Sequence, residues 1–327
     1  MLFREDTVAR AEAMAVRNAA GWYRWQHDLV QVSGPEAVNY LDYICVNDIK
    51  GAGPGVSKYT TILNDEGKIV DDVIVTNLGE DVYWVSTLYA PRFGKWFEKK
   101  AVDFDCSMKE LTYEVDMYAV QGPDSLAEMN KLLEEPIDEM KRFRMADNRM
   151  AGVDVKIHRS GFTGENGYEI YCPIEETAKI KECLKASGIK ELRTLEVYLR
   201  SLPMEKGFAL RQDMYGLTPF ECGLGWSVKM DKEFIGKEAL SEYESQYKLV
   251  GFTFTPERDG YEDVAQNEIV RHKGIQCGIA RQMIYGYTVD KNIGFAIVEK
   301  KYSENGTVLT VGPNDAVITV CDKVFLK

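Results

Sequence analysis

The chain has few of the side chains that usually announce a reaction. Three histidines, His27, His158 and His272, are spread over 327 residues, none at the spacing of a helical metal pair, which argues against a histidine-rich metal site. Seven cysteines are scattered without a Cys-x-x-Cys, so they suggest neither a disulfide framework nor a zinc site and favour a reducing compartment. No metal is expected. Gly-x-Ser-x-Gly, a phosphate-binding loop and Gly-x-Gly-x-x-Gly are all missing. No apolar run approaches the roughly eighteen residues of a membrane span, and the amino-terminal MLFREDTVARAEAMAVRN is charged and mixed rather than basic then apolar. The expectation is a cytoplasmic protein without a membrane partner. Positive charge is also short: the formal net charge of -12 argues against nucleic acid, and an anionic small ligand would need local Arg or Lys.

What is present is an ordinary globular composition, 45% hydrophobic and 28% charged, long enough for two or three cores. A helix is expected over 10–20. DLVQVSGPEAVNYLDYI then reads as strand, Gly-Pro turn and helix, and YEVDMYAVQGPDSLAEMNKLL repeats that grammar. Between them, KYTTILNDEGKIVDDVIVTNLGEDVYWVSTLYA reads as a three-stranded meander turning at Asn64–Gly67 and Leu78–Asp81. Strands near 154–159 and 167–172 precede two helical stretches, IEETAKIKECLKAS and ELRTLEVYLRSLPMEKG, ended by Gly188 and Gly207. From Leu249 the chain is strand-rich, as in a small barrel or sandwich. Strands and helices fall in runs, which indicates an α+β fold rather than a doubly wound sheet. Residues 1–245 are read as one module of two subdomains and 246–327 as a second, β domain.

Four stretches can carry chemistry. Asp71 and Asp72 interrupt an apolar strand, and neighbouring strand side chains point to opposite faces, so one of them faces the packed side. The pattern leaves open whether that one meets a ligand N–H, as acid–base work requires, or only backbone and Arg donors. HRSGFTGENGYEIYCP sets three glycines before Glu169, which suits either a pocket for a flat N–H-bearing heterocycle or a plain turn. GLTPFECGLGWSVKMDKEFIGKEAL, with Trp226, is either a site segment or a domain junction. GWYRWQHDL groups Trp22, Tyr23, Trp25 and His27, either as core or as a pocket for an aromatic substrate.

Taken in order, AVRNAAGWYRWQHDLVQVSGPEAVNYLDYICVNDI, KYTTILNDEGKIVDDVIV, YAVQGPDS, SGFTGENGYEIY and TPFECGLGWSVKMDKEFIGKEAL resemble the signature segments of the folate-dependent aminomethyltransferase family, which includes the T-protein of glycine cleavage. The resemblance implies three domains in a ring around a central folate channel, the last a small β-barrel, and tetrahydrofolate as cofactor. By matching, Asp71 falls where the family sets its aspartate against the reactive N5–N10 edge, and Tyr59 and Glu169 fall on pterin contacts. Phe162 stands where Tyr is common, and Trp226 joins the cofactor-binding set. His27 matches a family histidine whose neighbours have changed.

Other departures concern the donor and the folate tail. The family's Leu-Arg-Leu-Glu is here Leu202-Pro203-Met204-Glu205, which leaves Arg193 or Arg200 as substitutes for a tail-binding arginine, and the family's Asn-Ala is Ser86-Thr87. PMEKGF and PFECGLGW look closer to the demethylating branches. The resemblance therefore leads to the expectation of a demethylase that transfers a methyl group from a small aryl methyl ether or methylamine to tetrahydrofolate, with Asp71 positioning or deprotonating the folate and Tyr59 or His27 as the acid. The rival is a glycine-cleavage aminomethyltransferase served by a lipoyl carrier protein. A non-catalytic folate-binding relative ranks lowest, because Glu205–Ala209 lacks the cysteine of that group's motif.

Overall fold

A computed structural model describes residues 4–25, 27–255 and 266–327; Met1–Phe3 of the amino terminus, Gln26 of the Trp-Gln-His-Asp-Leu stretch, and Pro256 at the end of the Leu249–Pro256 stretch lie outside them. Helix α1 (Thr7–Asn18) begins earlier than its periodicity suggests, because the Asp6 carboxylate accepts the Ala9 amide at 2.9 Å and caps the first turn. Its buried Ala9, Glu12, Ala13 and Val16 lie on one face.

The chain continues through β1 (Gly21–Arg24), β2 (Asp28–Ser33), α2 (Ala37–Ile44), β3 (Ser57–Leu63), β4 (Ile69–Gly79), β5 (Val82–Thr87), α3 (Ala90–Lys100) and β6 (Ser107–Glu110). Then come β7 (Val115–Gln121), α4 (Ser125–Leu132), β8 (Met145–Met150), β9 (Val153–His158), β10 (Gly167–Pro173), α5 (Thr177–Ala186) and β11 (Lys190–Glu191). One sheet has the order β3-β4-β5-β2-β6, the other β11-β1-β7-β10-β9-β8. The adjacent strands β1 and β2 thus belong to different sheets, and Trp25 and His27 lie on the crossing between them.

The expected repeat is present as β2–α2 and β7–α4, each turning on a glycine of positive φ, Gly34 at 128° and Gly122 at 133°. At Gly122 a Cβ would sit 2.3 Å from the Ala19 carbonyl oxygen. The meander turns where expected, with Gly67, Gly79, Glu80 and Asp81 all at positive φ.

The stretch expected as one helix over 191–207 is divided. Its start pairs as β11, Val197–Ser201 forms a π-helical turn, and α6 (Leu202–Glu205) has Pro203 in its first turn, where the missing N–H breaks the regular ladder. Short helices α7 (Arg211–Met214) and α8 (Lys237–Glu242) lead to β12 (Tyr247–Phe254), β13 (Ile269–His272), β14 (Ile275–Gly286), β15 (Lys291–Glu299), β16 (Val308–Val311) and β17 (Ala316–Cys321). These six strands close a barrel in the order β12-β15-β14-β13-β16-β17, with β13 a strand the apolar pattern had not indicated.

One apolar cluster joins α1, the π-helical turn, α6 and α7 to Ile284, Tyr285, Tyr287, Ile293 and Phe295 of the barrel region. A second, of Leu29, Trp84, Met117, Met145 and Tyr171, joins the two sheets. The architecture is the expected α+β arrangement of two sheet domains and a small carboxyl-terminal barrel.

Candidate functional site

The two aspartates of β4 divide between its faces. Ile69, Asp71, Val73 and Val75 alternate on the buried side, where Val73 and Val75 pack with residues of α2 and α3. Asp71 Oδ1 accepts Arg92 Nη1 at 2.8 Å and Oδ2 accepts the Thr87 hydroxyl at 3.0 Å, so this carboxylate is already satisfied inside the first domain. Asp71, expected against the ligand, is thus the inward member of the pair.

Asp72 lies on the opposite face. Its Oδ2 accepts the Tyr59 hydroxyl at 3.2 Å, a diagonal cross-strand contact, while its Oδ1 is buried with no hydrogen-bond partner among the described residues. Burial, then the neighbouring Asp71 charge, push the Asp72 carboxyl up to about 7; Tyr59, Arg211 and Arg92 oppose the shift. Arg211 reaches this end of the strand through Nε to the Val70 carbonyl at 2.6 Å. The Tyr59 ring stacks on the exposed Trp226, with centroids 6.0 Å apart.

The second sheet supplies the other acid. Tyr23, Ala119, Glu169 and His158 are in register across β1, β7, β10 and β9 and therefore share a face. Glu169 Oε2 accepts from His158 Nδ1 at 2.9 Å and from the Tyr171 hydroxyl at 3.2 Å. Its Oε1 receives no hydrogen bond among the described residues. Tyr171 also has Ser86 of β5 at its hydroxyl, and its ring packs 5.6 Å from Trp84, so this face looks onto the first sheet. Ser86 is in register with Ile74 of β4, which lies on the Asp72 side of that strand. Asp72 and Glu169 thus belong to opposite walls of one inter-sheet cleft.

The crossing and the glycine-rich loop line the cleft with rings. Trp25 lies 5.9 Å from His27 and 6.0 Å from Phe162, which in turn lies 5.8 Å from Phe208. His27 holds Nδ1 3.0 Å from the Asp28 carbonyl oxygen, and burial pushes its imidazole below the ordinary histidine value despite the Glu169 charge. Gly161 and Gly167 are glycine for a packing reason: a Cβ at either would fall within 2.1 Å of the Gln121 amide. That amide holds the loop by donating to the Ser160 carbonyl at 3.0 Å and accepting from Thr163 at 2.9 Å.

Neither proposed tail arginine faces this cleft unengaged. Arg200 is buried in an ion pair with Asp213 at 3.0 Å, and Arg193 is paired on the surface with Glu191 at 2.6 Å. Arg92, Arg211, His158 and Tyr171 carry no chemical role legible in the sequence: the partners of Arg92 and Arg211 lie far along the chain, and those of His158 and Tyr171 depend on strand register.

The two carboxylate oxygens left unpaired among the described residues and the aromatic faces of Tyr59, Trp25 and Phe162 suit a flat, N–H-bearing heterocycle such as a reduced pterin. The arrangement defines a class, a heterocycle-binding site between two sheets with a barrel packed against α1, α6 and α7. Residues 3–232 match the GCVT N-terminal domain and residues 248–327 the glycine cleavage T-protein C-terminal barrel domain, so the chain belongs to the glycine cleavage T-protein family. Curated relatives named aminomethyltransferase include those of Halalkalibacterium halodurans, 32% identical over 320 residues covering 92% of this chain and 85% of that protein, and of Bacillus subtilis, 32% identical over 324 residues covering 92% and 86%. The aminomethyltransferase of Caldanaerobacter subterraneus is 32% identical over 336 residues, covering 97% and 87%. The solved glycine cleavage system aminomethyltransferase T from Bartonella henselae superimposes with a TM-score of 0.86 at 24% identity, covering 97% of this chain and 89% of that one, and so shares the fold.

The chain is an enzyme of this folate-dependent transferase family, with tetrahydrofolate as its cofactor. The expected demethylase is corrected: the relatives carry the name of the rival activity. Apart from Trp226, which stacks on Tyr59, the segments that suggested demethylation serve the scaffold, held together by their charged residues. In PMEKGF, Glu205 is fully buried and paired with Arg17 at 2.9 Å, and Lys206 pairs with Glu165 at 3.5 Å. In PFECGLGW, Glu221 is held by the Thr218 amide at 2.8 Å and the Tyr243 hydroxyl at 2.8 Å.

Proposed function

We propose that this chain is a glycine-cleavage-type aminomethyltransferase, which takes an aminomethyl group from a lipoyl-bearing carrier protein, passes its one-carbon unit to tetrahydrofolate and releases ammonia. The observation that carries the reading is Asp72, whose carboxyl is pushed up to about 7 and whose Oδ1 is buried without a partner among the described residues. When bound, tetrahydrofolate supplies the two nitrogens that receive the one-carbon unit. Asp72 Oδ1 would take the proton that one nitrogen must lose and return it to the departing amine, the second nitrogen's proton would leave with the carrier's sulfur as its thiol, and Tyr59 fixes Oδ2. Asp71 and Arg92 hold the strand beside it; the Asp71 charge adds to burial in raising the Asp72 carboxyl, and the Arg92 charge opposes it.

Glu169 receives the N–H donors of the heterocycle, and Phe162 and Trp25 provide faces for stacking. Trp226, stacked on Tyr59, forms the outer wall, and His27 stands at the crossing as a donor-side residue. Residues 1–245 act as the catalytic module and 246–327 as the closing barrel, a division supported by β12 starting at Tyr247. The bacterial relatives support a cytoplasmic setting.

The test is formation of methylene-tetrahydrofolate and ammonia from an aminomethylated carrier. Asp72→Asn is expected to lose about 100-fold or more in turnover, and Asp71→Asn to lose stability first. Equal turnover of Asp72→Asn and wild type would refute the role of Asp72. Methyl-tetrahydrofolate from a methyl donor, with no product from the carrier, would refute the reaction.

A further inference from the structure

His158 is 1% exposed, and its two ring nitrogens have unequal partners: Nδ1 meets Glu169 Oε2 at 2.9 Å, and Nε2 is buried with none among the described residues. A carboxylate accepts only, so Nδ1 must carry the proton, and a neutral ring then leaves Nε2 as a bare lone pair. Tyr171 donates to the same oxygen at 3.2 Å. Two donors from two strands therefore converge on Oε2, and a glutamate with three rotatable bonds is held in one setting with Oε1 left over.

We propose that His158 is a positioning residue for Glu169: it pins Oε2 so that Oε1 alone is presented to the N–H donors of the heterocycle. The inference rests on the folate reading and goes beyond it, because His158 itself acts through the carboxylate. The arrangement fixes the acceptor before the ligand arrives, so its benefit falls on binding rather than on the transfer step.

Two variants separate this from simple packing. His158→Phe keeps a ring and removes the donor; His158→Asn restores an N–H close to the Nδ1 position. Tetrahydrofolate binding, followed by tryptophan fluorescence, is expected to weaken about 10- to 100-fold in His158→Phe and to recover most of the loss in His158→Asn. The KM for tetrahydrofolate should rise in parallel, with turnover at saturating folate within about threefold of wild type. Normal affinity in His158→Phe, while wild type binds, would overturn the proposal and leave the folate reading standing. No binding by wild type would overturn both. Because the chain has only three histidines, nitrogen-15 spectra of the wild type give an independent readout should the Phe variant fail to fold. A His158 signal in the Nδ1–H tautomer is expected, and a dominant Nε2–H tautomer would refute the proposal.

Discussion

At Asp72 the protein keeps a proton in play at a pH where an ordinary aspartate is fully ionised. A base with a pKa of about 7 is mostly protonated below that value and free above it. The transfer rate is therefore expected to fall about tenfold per pH unit below 7 and to level off above it, in a profile of kcat/KM for the carrier. His27, lowered by burial, contributes its own limb at more acid pH and leaves the limb near 7 to Asp72. A flat profile in wild type across pH 6 to 8 would contradict the assignment. The strand alternation made one carboxylate inward and one outward legible, but not which: Val70 and Ile74 accompany Asp72, and Ile69 and Val73 accompany Asp71, so both faces look apolar. Family matching chose Asp71, whereas the neighbours Arg92 and Thr87 make that carboxylate the satisfied one.

Among elements, those with strong local signals were readable: the meander with its glycine turns, the two strand–turn–helix units and most barrel strands. Elements decided by distant partners were not. The short β6 and β11 are made by pairing with β2 and β1, and Pro203 divides a stretch whose periodicity alone reads as one helix. The glycine-rich loop was legible as a turn, but its reason lies in Gln121, some forty residues earlier in the chain. Gly161→Ala would set a methyl group 1.9 Å from the Gln121 amide and is expected to cost about 1–3 kcal/mol. Shortening the partner in Gly161→Ala/Gln121→Ala should recover part of that loss in denaturant titrations; a single variant as stable as wild type would refute the packing account.

Across the whole molecule, Arg17 and Glu205 act as a buried knot. Arg17, from α1, donates to Glu205 Oε2 at 2.9 Å, to Glu165 at 2.9 Å and to the Thr163 and Leu202 carbonyls at 2.8 Å. The Glu205 carboxylate also accepts the Thr288 amide at 2.7 Å, and its carbonyl accepts the amides of Phe325 and Leu326. Arg17→Met leaves that carboxylate buried without its cation and is expected to cost about 3–5 kcal/mol, read as a lower thermal midpoint with secondary structure retained. A midpoint equal to wild type would refute the account. The same knot bears on how the protein is born. Residues of α1 close against barrel residues that follow much later in the chain, so on the ribosome α1 must wait, its apolar stripe uncovered, until the barrel has emerged. Synthesis therefore passes through a long interval in which α1 depends on chaperones or on slow elongation, and a helix made before the barrel locks only after it.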